Sequence, residues 1–362
     1  MNFDLTEEQE MFRASVERFS APIDVEARRK LRLSPTGYDR DRWASLAELG
    51  LIALAAPESA GGMGGSTLDL ALIAEAIGKA NSPDPWLEHG VLPTQLLISG
   101  GVDGAVENVL AGEHIVGLAW AERAQRYALA AMGMKAEPSG EGFALSGEKT
   151  FVMGALLADT FVVSANLDGE TAYFLIPRDE DGVEMRAYRL TDGSIAGELK
   201  LTRATVGAAA KLNITSAQFN DIVGETRLLA AAEMLGLGQR LLDDTLIYVK
   251  EREQFGVAIG SFQALQHRLV EAYARIEQCR SMLYRAALTD RSDAQEWHRA
   301  TAGAKAFIGE NVDAVAREAV QMHGGMGITD ELAIGHAMKR VMVLAKLFGD
   351  AESALAEYAT AA

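Results

Sequence analysis

Three observations predict an α+β protein with an N-terminal helical domain, a middle antiparallel β-domain and a C-terminal four-helix bundle. Apolar residues keep helical spacing over the first third, give way to short β-rich runs, then return to helical spacing in longer stretches. The expected boundaries are residues 1–113, 114–223 and 224–362.

Of the 362 residues, 49% are hydrophobic, enough for a large core and two or three domains. The formal net charge of -17 argues against nucleic acid or an anionic membrane as the main partner, though a local basic pocket remains compatible with it. Charges interrupt every apolar run well short of the ~20 residues a membrane span needs. The opening Met1-Asn-Phe-Asp-Leu-Thr-Glu-Glu-Gln-Glu lacks the basic and then apolar pattern of a signal peptide. A soluble cytoplasmic protein is expected, with the lone Cys279 a small buried hydrophobe.

Residues 6–112 read as helices broken by turns. Thr6 and Gln9 have the spacing of a capping box. Trp43, Leu46 and Leu49, then Leu70, Ile73 and Ile77, keep helical intervals. Between them, Pro57-Glu-Ser-Ala-Gly-Gly-Met-Gly-Gly-Ser is too glycine-rich to be an element. No lysine follows its glycines and no strand leads into it, so it reads as a connector and not a phosphate loop.

From about 115 to 223 the runs Phe161-Val-Val-Ser-Ala, Tyr173-Phe-Leu-Ile and Glu198-Leu-Lys-Leu are separated by turn material such as Asn166-Leu-Asp-Gly and Thr191-Asp-Gly-Ser. This predicts an antiparallel barrel or sandwich. From residue 225, Leu228, Leu235, Leu242 and Val249 recur every seven positions, with Ala232, Gln239 and Leu246 in the other core turns, giving a helix of about 25 residues. Further helices are expected over 263–289 and 293–322, and from near 330.

Two segments carry the chemistry: Tyr248-Val-Lys-Glu-Arg-Glu-Gln-Phe-Gly-Val-Ala-Ile-Gly-Ser-Phe-Gln263 and Gln321-Met-His-Gly-Gly-Met-Gly327. Taken singly, Arg252 reads equally as a solvated residue at a helix end and the glycines as a helix-to-helix turn. Together, in this domain order, they resemble the paired FAD-binding segments of acyl-CoA dehydrogenases, and the resemblance spans nearly the whole chain. It implies that Arg252 grips the FAD pyrophosphate and that Phe255 and Gln263 meet the adenosine part. Gln321 is then a polar anchor, and Gly324 and Gly325 let the backbone approach the cofactor. In the family both segments serve the FAD of a neighbouring subunit, so oligomerisation is part of the cofactor site, and the resemblance implies a tetramer of subunits. His323 reads as a positioning residue, and the other five histidines show no metal spacing.

The family reaction takes the α-proton of an acyl-CoA thioester onto a carboxylate while the β-hydrogen leaves as hydride to the flavin. The resemblance puts the two usual base positions at Gly349 and Thr226, neither of them acidic. Asp350 and Glu225 are each one residue off, a rotation of about 100° on a helix. Glu233, two turns along, is a third candidate and reads also as a surface or intersubunit charge. Arg227 matches the basic residue that helps position the thioester. The usual Thr-Glu-Pro-Gly stretch is replaced by Ala121-Glu-Arg-Ala, and the Lys-x-Trp-x-Thr segment reads Lys149-Thr-Phe151-Val-Met153, whose last residue has no hydroxyl for the flavin edge.

These departures resemble the small-subunit branch of the bacterial enzymes, as in pimeloyl-CoA dehydrogenase, and the base-lacking subunits of two-chain sterol side-chain dehydrogenases. The expectation is a subunit that completes an FAD site for a second, catalytic subunit acting on an acyl-CoA, with electron transfer flavoprotein as re-oxidant. A self-sufficient homo-oligomer with a displaced base, and a non-catalytic scaffold, are the alternatives. The acyl group is not legible in the sequence.

Overall fold

The computed structural model describes residues 5–20 and 25–360. Six helices come first: α1 (Glu7–Phe19), α2 (Val25–Leu33), α3 (Arg40–Glu48), α4 (Thr67–Lys79), α5 (Leu92–Ser99) and α6 (Asp103–Leu110). Eight strands follow: β1 (Val116–Ala119), β2 (Lys135–Ser139), β3 (Gly142–Met153), β4 (Thr160–Leu167), β5 (Glu170–Pro177), β6 (Val183–Arg189), β7 (Ile195–Gly207) and β8 (Lys211–Leu212). Helix α7 (Ser216–Glu251) leads through a small hairpin, β9 (Glu253–Gln254) and β10 (Val257–Ala258), into α8 (Gln263–Ala287), α9 (Ala294–His323), α10 (Ala333–Leu344) and α11 (Ala351–Thr360). The chain divides into two compact units, Met1–Lys30 with Ser66–Ser82 and Arg227–Ala362, and Leu31–Gly65 with Pro83–Thr226.

The second unit holds the sheet, in the order β6-β7-β3-β2-β4-β5-β8, with β1 also on β4. It is mixed, whereas the sequence predicts an antiparallel one. Most neighbours are antiparallel, but β1 runs parallel to β4 along Val116–Ala119, and β2 meets β4 in parallel at Lys135 and Asn166. The physical reason is connection length. Strand β1 arrives from α6 and reaches β4 only after β2 and β3, a crossover instead of a hairpin. Phe161, Phe174, Leu145, Val163 and Leu199 close the core on one face of this sheet.

Charge is also buried here. Lys149 Nζ donates to Glu122 Oε1 (2.8 Å), Ser164 Oγ (3.0 Å) and the Trp120 carbonyl (3.1 Å). The other Glu122 oxygen accepts from the Gly133 amide at 2.6 Å, so one ion pair with full hydrogen bonding fixes the 120–134 connection to the sheet.

Among the described residues, the regular elements of the first unit are helices, apart from the β9–β10 hairpin. The Thr6–Gln9 capping box is present at the start of α1. Leu228, Leu235, Leu242 and Val249 are all buried along α7. That helix has 36 residues and begins nine positions before the predicted start. Thr215 and Gln218 form a reciprocal cap, the Gln218 amide donating to Thr215 Oγ1 (3.2 Å) and the Thr215 amide to Gln218 Oε1 (2.9 Å). A further helix, α11, follows a break at Phe348 and Gly349, whose φ angles are 55° and 124°.

Helices α4 and α7 approach closely. A Cβ on Gly78 would lie 2.0 Å from the Glu233 carbonyl oxygen, and one on Gly236 would lie 2.0 Å from that of Glu75. Side chains tie the same crossing: Arg280 pairs with Glu75 and donates to Gln239 Oε1 at 2.9 Å. Gly236→Ala therefore separates the two helices and should cost about 1–3 kcal/mol in urea unfolding. Gly104→Ala, where an added Cβ meets nothing within 4 Å, should leave stability unchanged or slightly raised.

Candidate functional site

Helix α7 ends in a sharply reversed hairpin. Gln254 pairs with Val257 and Glu253 with Ala258, leaving Phe255 and Gly256 as a two-residue turn with φ of 55° and 78°. Both turn positions need the left-handed region. Glycine adopts it freely, whereas for a phenylalanine it costs roughly 1–2 kcal/mol. The phenylalanine buries little in return: it is 93% exposed, with Phe262 edge-on beside it. Strain kept at an exposed aromatic is a mark of a residue that meets something else.

At the far end of α9 the chain turns at Gly324, with φ 60° and ψ -141°, a conformation that excludes an L side chain. An added Cβ on Gly324 or Gly325 would meet nothing within 4 Å, so these positions present open backbone. The two chain reversals face a common groove of about 1050 Å³, whose lining includes Tyr248, Arg252, Gln321, His323, Gly324 and Gly325. Arg252 makes no ion pair or side-chain hydrogen bond among the described residues. A guanidinium without a protein acceptor, beside bare backbone, suits a phosphate-bearing ligand. Phe255 and Gln263 do not line this groove; they are exposed on the hairpin turn and at the first residue of α8.

The base positions look different. Thr226 is buried and donates its hydroxyl back to the Ile222 carbonyl at 2.8 Å. Glu225 is buried and accepts from Gln95 Nε2 at 2.7 Å. Glu233, read from sequence as a surface or intersubunit charge, is instead buried and holds Arg340 through two bonds of 2.7 and 3.2 Å. Its neighbour across the crossing explains the burial: α4 passes directly over this turn of α7. Asp350 starts α11 by accepting from the Ser353 amide, with Lys346 at 3.1 Å. Burial pushes its carboxyl up, but the Ser353 amide and the Lys346 ammonium outweigh it and hold the group at about 2.

Arg227 is fully engaged. Its Nε donates to the Phe348 carbonyl at 2.7 Å, and its two terminal nitrogens bind Glu357 at 2.5 and 3.0 Å. Gly349 sits beside it, and a Cβ there would come within 2.9 Å of Ser353 Oγ in a backbone that side chains rarely adopt. Sequence reasoning missed two members of this cluster, Glu357 and Lys305. Lys305 is completely buried and donates to the Leu344 carbonyl at the end of α10, at 2.5 Å. The signal for it was a lysine in the otherwise small-residue stretch Ala302-Gly-Ala-Lys-Ala306.

In the β-unit, Met153 is buried and Phe151 has a φ of 54° at a bulge between Lys149 and Val152. Among the described residues no group of histidine, cysteine and carboxylate side chains forms a metal site, and no helix is long and apolar enough to cross a membrane.

With this geometry in place, the comparisons with known proteins identify the family. The acyl-CoA dehydrogenase N-terminal, middle and C-terminal domains match residues 6–102, 117–204 and 217–362. The chain belongs to the acyl-CoA dehydrogenase family, whose members are FAD-dependent oxidoreductases acting on CH–CH groups. It is 30% identical over 350 residues to the acyl-CoA dehydrogenase IpdE2 of Mycolicibacterium smegmatis, covering 95% of this chain and 96% of that protein. A chain of the ChsE4-ChsE5 complex from Mycobacterium tuberculosis superposes with a TM-score of 0.91 at 28% identity, over 99% of this chain and 98% of that one. PigA, solved with FAD and proline, gives a TM-score of 0.90 at 25% identity, over 99% and 98%.

Lys305 yields a prediction with a definite sign. Burial first, then repulsion from Arg227, lowers it from 10.5 to about 7. Below pH 7 both folded and unfolded chains are protonated and the penalty of the buried charge is fully present. Between about 7 and 10.5 the unfolded chain binds more protons, so stability rises with pH. Urea unfolding of the wild type should therefore show a rise from pH 7 toward 10 that Lys305→Met flattens.

Proposed function

We propose that this chain completes the flavin site of a hetero-oligomeric acyl-CoA dehydrogenase whose partner subunit supplies the catalytic carboxylate. The observation that carries this reading is the commitment of every candidate base. Glu225 is held by Gln95, Glu233 by Arg340 and Asp350 by its capping bonds, while Gly349 and Thr226 hold no acid. Arg227, the residue expected to position a thioester, is neutralised by Glu357.

When bound, the flavin takes the β-hydrogen of the acyl thioester as hydride. In this reading Arg252 grips the pyrophosphate bidentately, Gln321 adds a polar anchor, and Gly324 and Gly325 bring backbone up to the dinucleotide. Phe255 and Gln263 reach its adenosine part from the exposed side of the hairpin. Helix length supports a shared site. Arg227 lies on α7 and Arg252 directly after its last residue, twenty-five positions apart, about 38 Å at 1.5 Å per residue. That is far beyond the reach from a flavin ring to its own pyrophosphate, so Arg252 addresses a cofactor whose thioester lies on another subunit. The resemblance to a chain of the ChsE4-ChsE5 complex favours a different chain as that subunit. A branched, dicarboxylic or sterol-derived acyl-CoA is the substrate class, and electron transfer flavoprotein the re-oxidant, on the strength of family resemblance.

Flavin content tests the proposal. The chain purified alone should hold little flavin, and co-expression with its partner should restore it. Arg252→Ala in the complex should weaken FAD binding by about 10- to 100-fold, the value of a charge-assisted contact. One flavin per subunit in the chain alone, with dehydrogenation of a thioester at ordinary rates, would contradict it.

A further inference from the structure

The groove contains one pair of residues that the flavin assignment leaves without a role. The rings of Tyr248 and His323 are stacked, with centroids 4.2 Å apart and planes 24° from parallel. Tyr248 belongs to α7 and His323 to the last turn of α9, so the stack joins the two segments that form the groove. His323 Nδ1 lies 2.8 Å from the Ala319 carbonyl oxygen. A carbonyl only accepts, so Nδ1 carries the hydrogen and Nε2 is left as an acceptor. Nε2 has no protein partner among the described residues, and it is not sealed in the core. The stack and the Nδ1 bond thus fix the ring of a groove-lining residue whose second nitrogen is an unused acceptor.

An acceptor selects its ligand. Phosphate oxygens cannot donate to it, and the groove already holds Arg252 for them. Arg252 directly follows α7 and its amide donates to the Tyr248 carbonyl at 2.8 Å, so the two residues are one turn apart. His323, lying on Tyr248, lines the same groove as the arginine, so a dinucleotide whose phosphates meet Arg252 can present a donor of its sugar or base to it.

We propose that His323 reads the nucleotide: its Nε2 accepts a hydrogen bond from a sugar hydroxyl or a base amino group of the dinucleotide whose phosphates Arg252 holds. Tyr248 acts as a positioning residue that keeps the imidazole in place. This rests on the reading of the groove as a flavin site.

The test is calorimetric titration of the flavin-stripped oligomer with FAD, ADP, 2′,3′-dideoxy-ADP and inosine diphosphate. His323→Phe keeps a ring on Tyr248 but removes the acceptor, and should weaken FAD and ADP by about tenfold. The wild type should discriminate against dideoxy-ADP if the donor is a hydroxyl, or against inosine diphosphate if it is the amino group. That discrimination should vanish in His323→Phe. His323→Gln, which can present an acceptor without the ring, should bind more tightly than His323→Phe. Equal binding by these two variants, or wild-type affinity in His323→Phe, overturns the proposal. Arg252→Ala keeps the two levels apart. If it binds ADP and FAD as the wild type does, the groove is not the flavin site; if it loses affinity while His323→Phe does not, only the role of His323 falls.

Discussion

The length of a single uninterrupted helix sets the terms for this protein. Helix α7 runs for 36 residues, about 54 Å, with Arg227 about a third of the way along it and Arg252 directly after its last residue. Its central turns are locked against α4 by Gly78 and Gly236, where backbone meets backbone without room for a methyl group. A helix held this way cannot bend to bring its ends to one ligand. The arginine that suits a phosphate and the arginine beside the usual base position therefore belong to different sites. The proposed sharing of the cofactor between subunits rests on this separation as well as on family resemblance.

The two ends also differ in how their charges are satisfied. At the groove, Arg252 keeps its donors unengaged beside open glycine backbone, and Phe255 stands exposed in a strained turn. At the other end, Arg227, Glu357 and the Phe348 carbonyl close on one another, and Lys305 caps α10 from the interior. Three hydrogen bonds, two of them to one carboxylate, engage the buried Arg227 guanidinium, so it is a fixed feature and not a spare group awaiting substrate. One end is built to meet something outside the chain; the other is complete in itself.

Much of this was legible in the sequence because it depends on local rules. Heptad spacing pointed to α7, two further helices were expected where α8 and α9 lie, the Thr6–Gln9 cap marked α1, and the segments around Arg252 and Gly324 line one groove. The early start of α7 was missed although Thr215-x-x-Gln218 announces it, because the β-rich pattern just before it dominated the reading. The parallel placement of β1 beside β4 has no local signature, since it depends on a crossover. The burial of Glu233 was hidden for the same reason. A glutamate on a long helix looks solvated until Arg340, more than a hundred positions later, is known to face it. Lys305 and Glu357 are likewise defined by partners distant in sequence.

The central claim, that this chain contributes a cofactor site but no base, is tested most directly by anaerobic single-turnover flavin reduction in the assembled oligomer. Neutralising the partner's carboxylate should lower the reduction rate by about a hundredfold or more, the ordinary worth of a general base. Glu225→Gln and Asp350→Asn in this chain should leave it unchanged. A loss of that size from either of these substitutions, with flavin still bound, would place the base here and contradict the account.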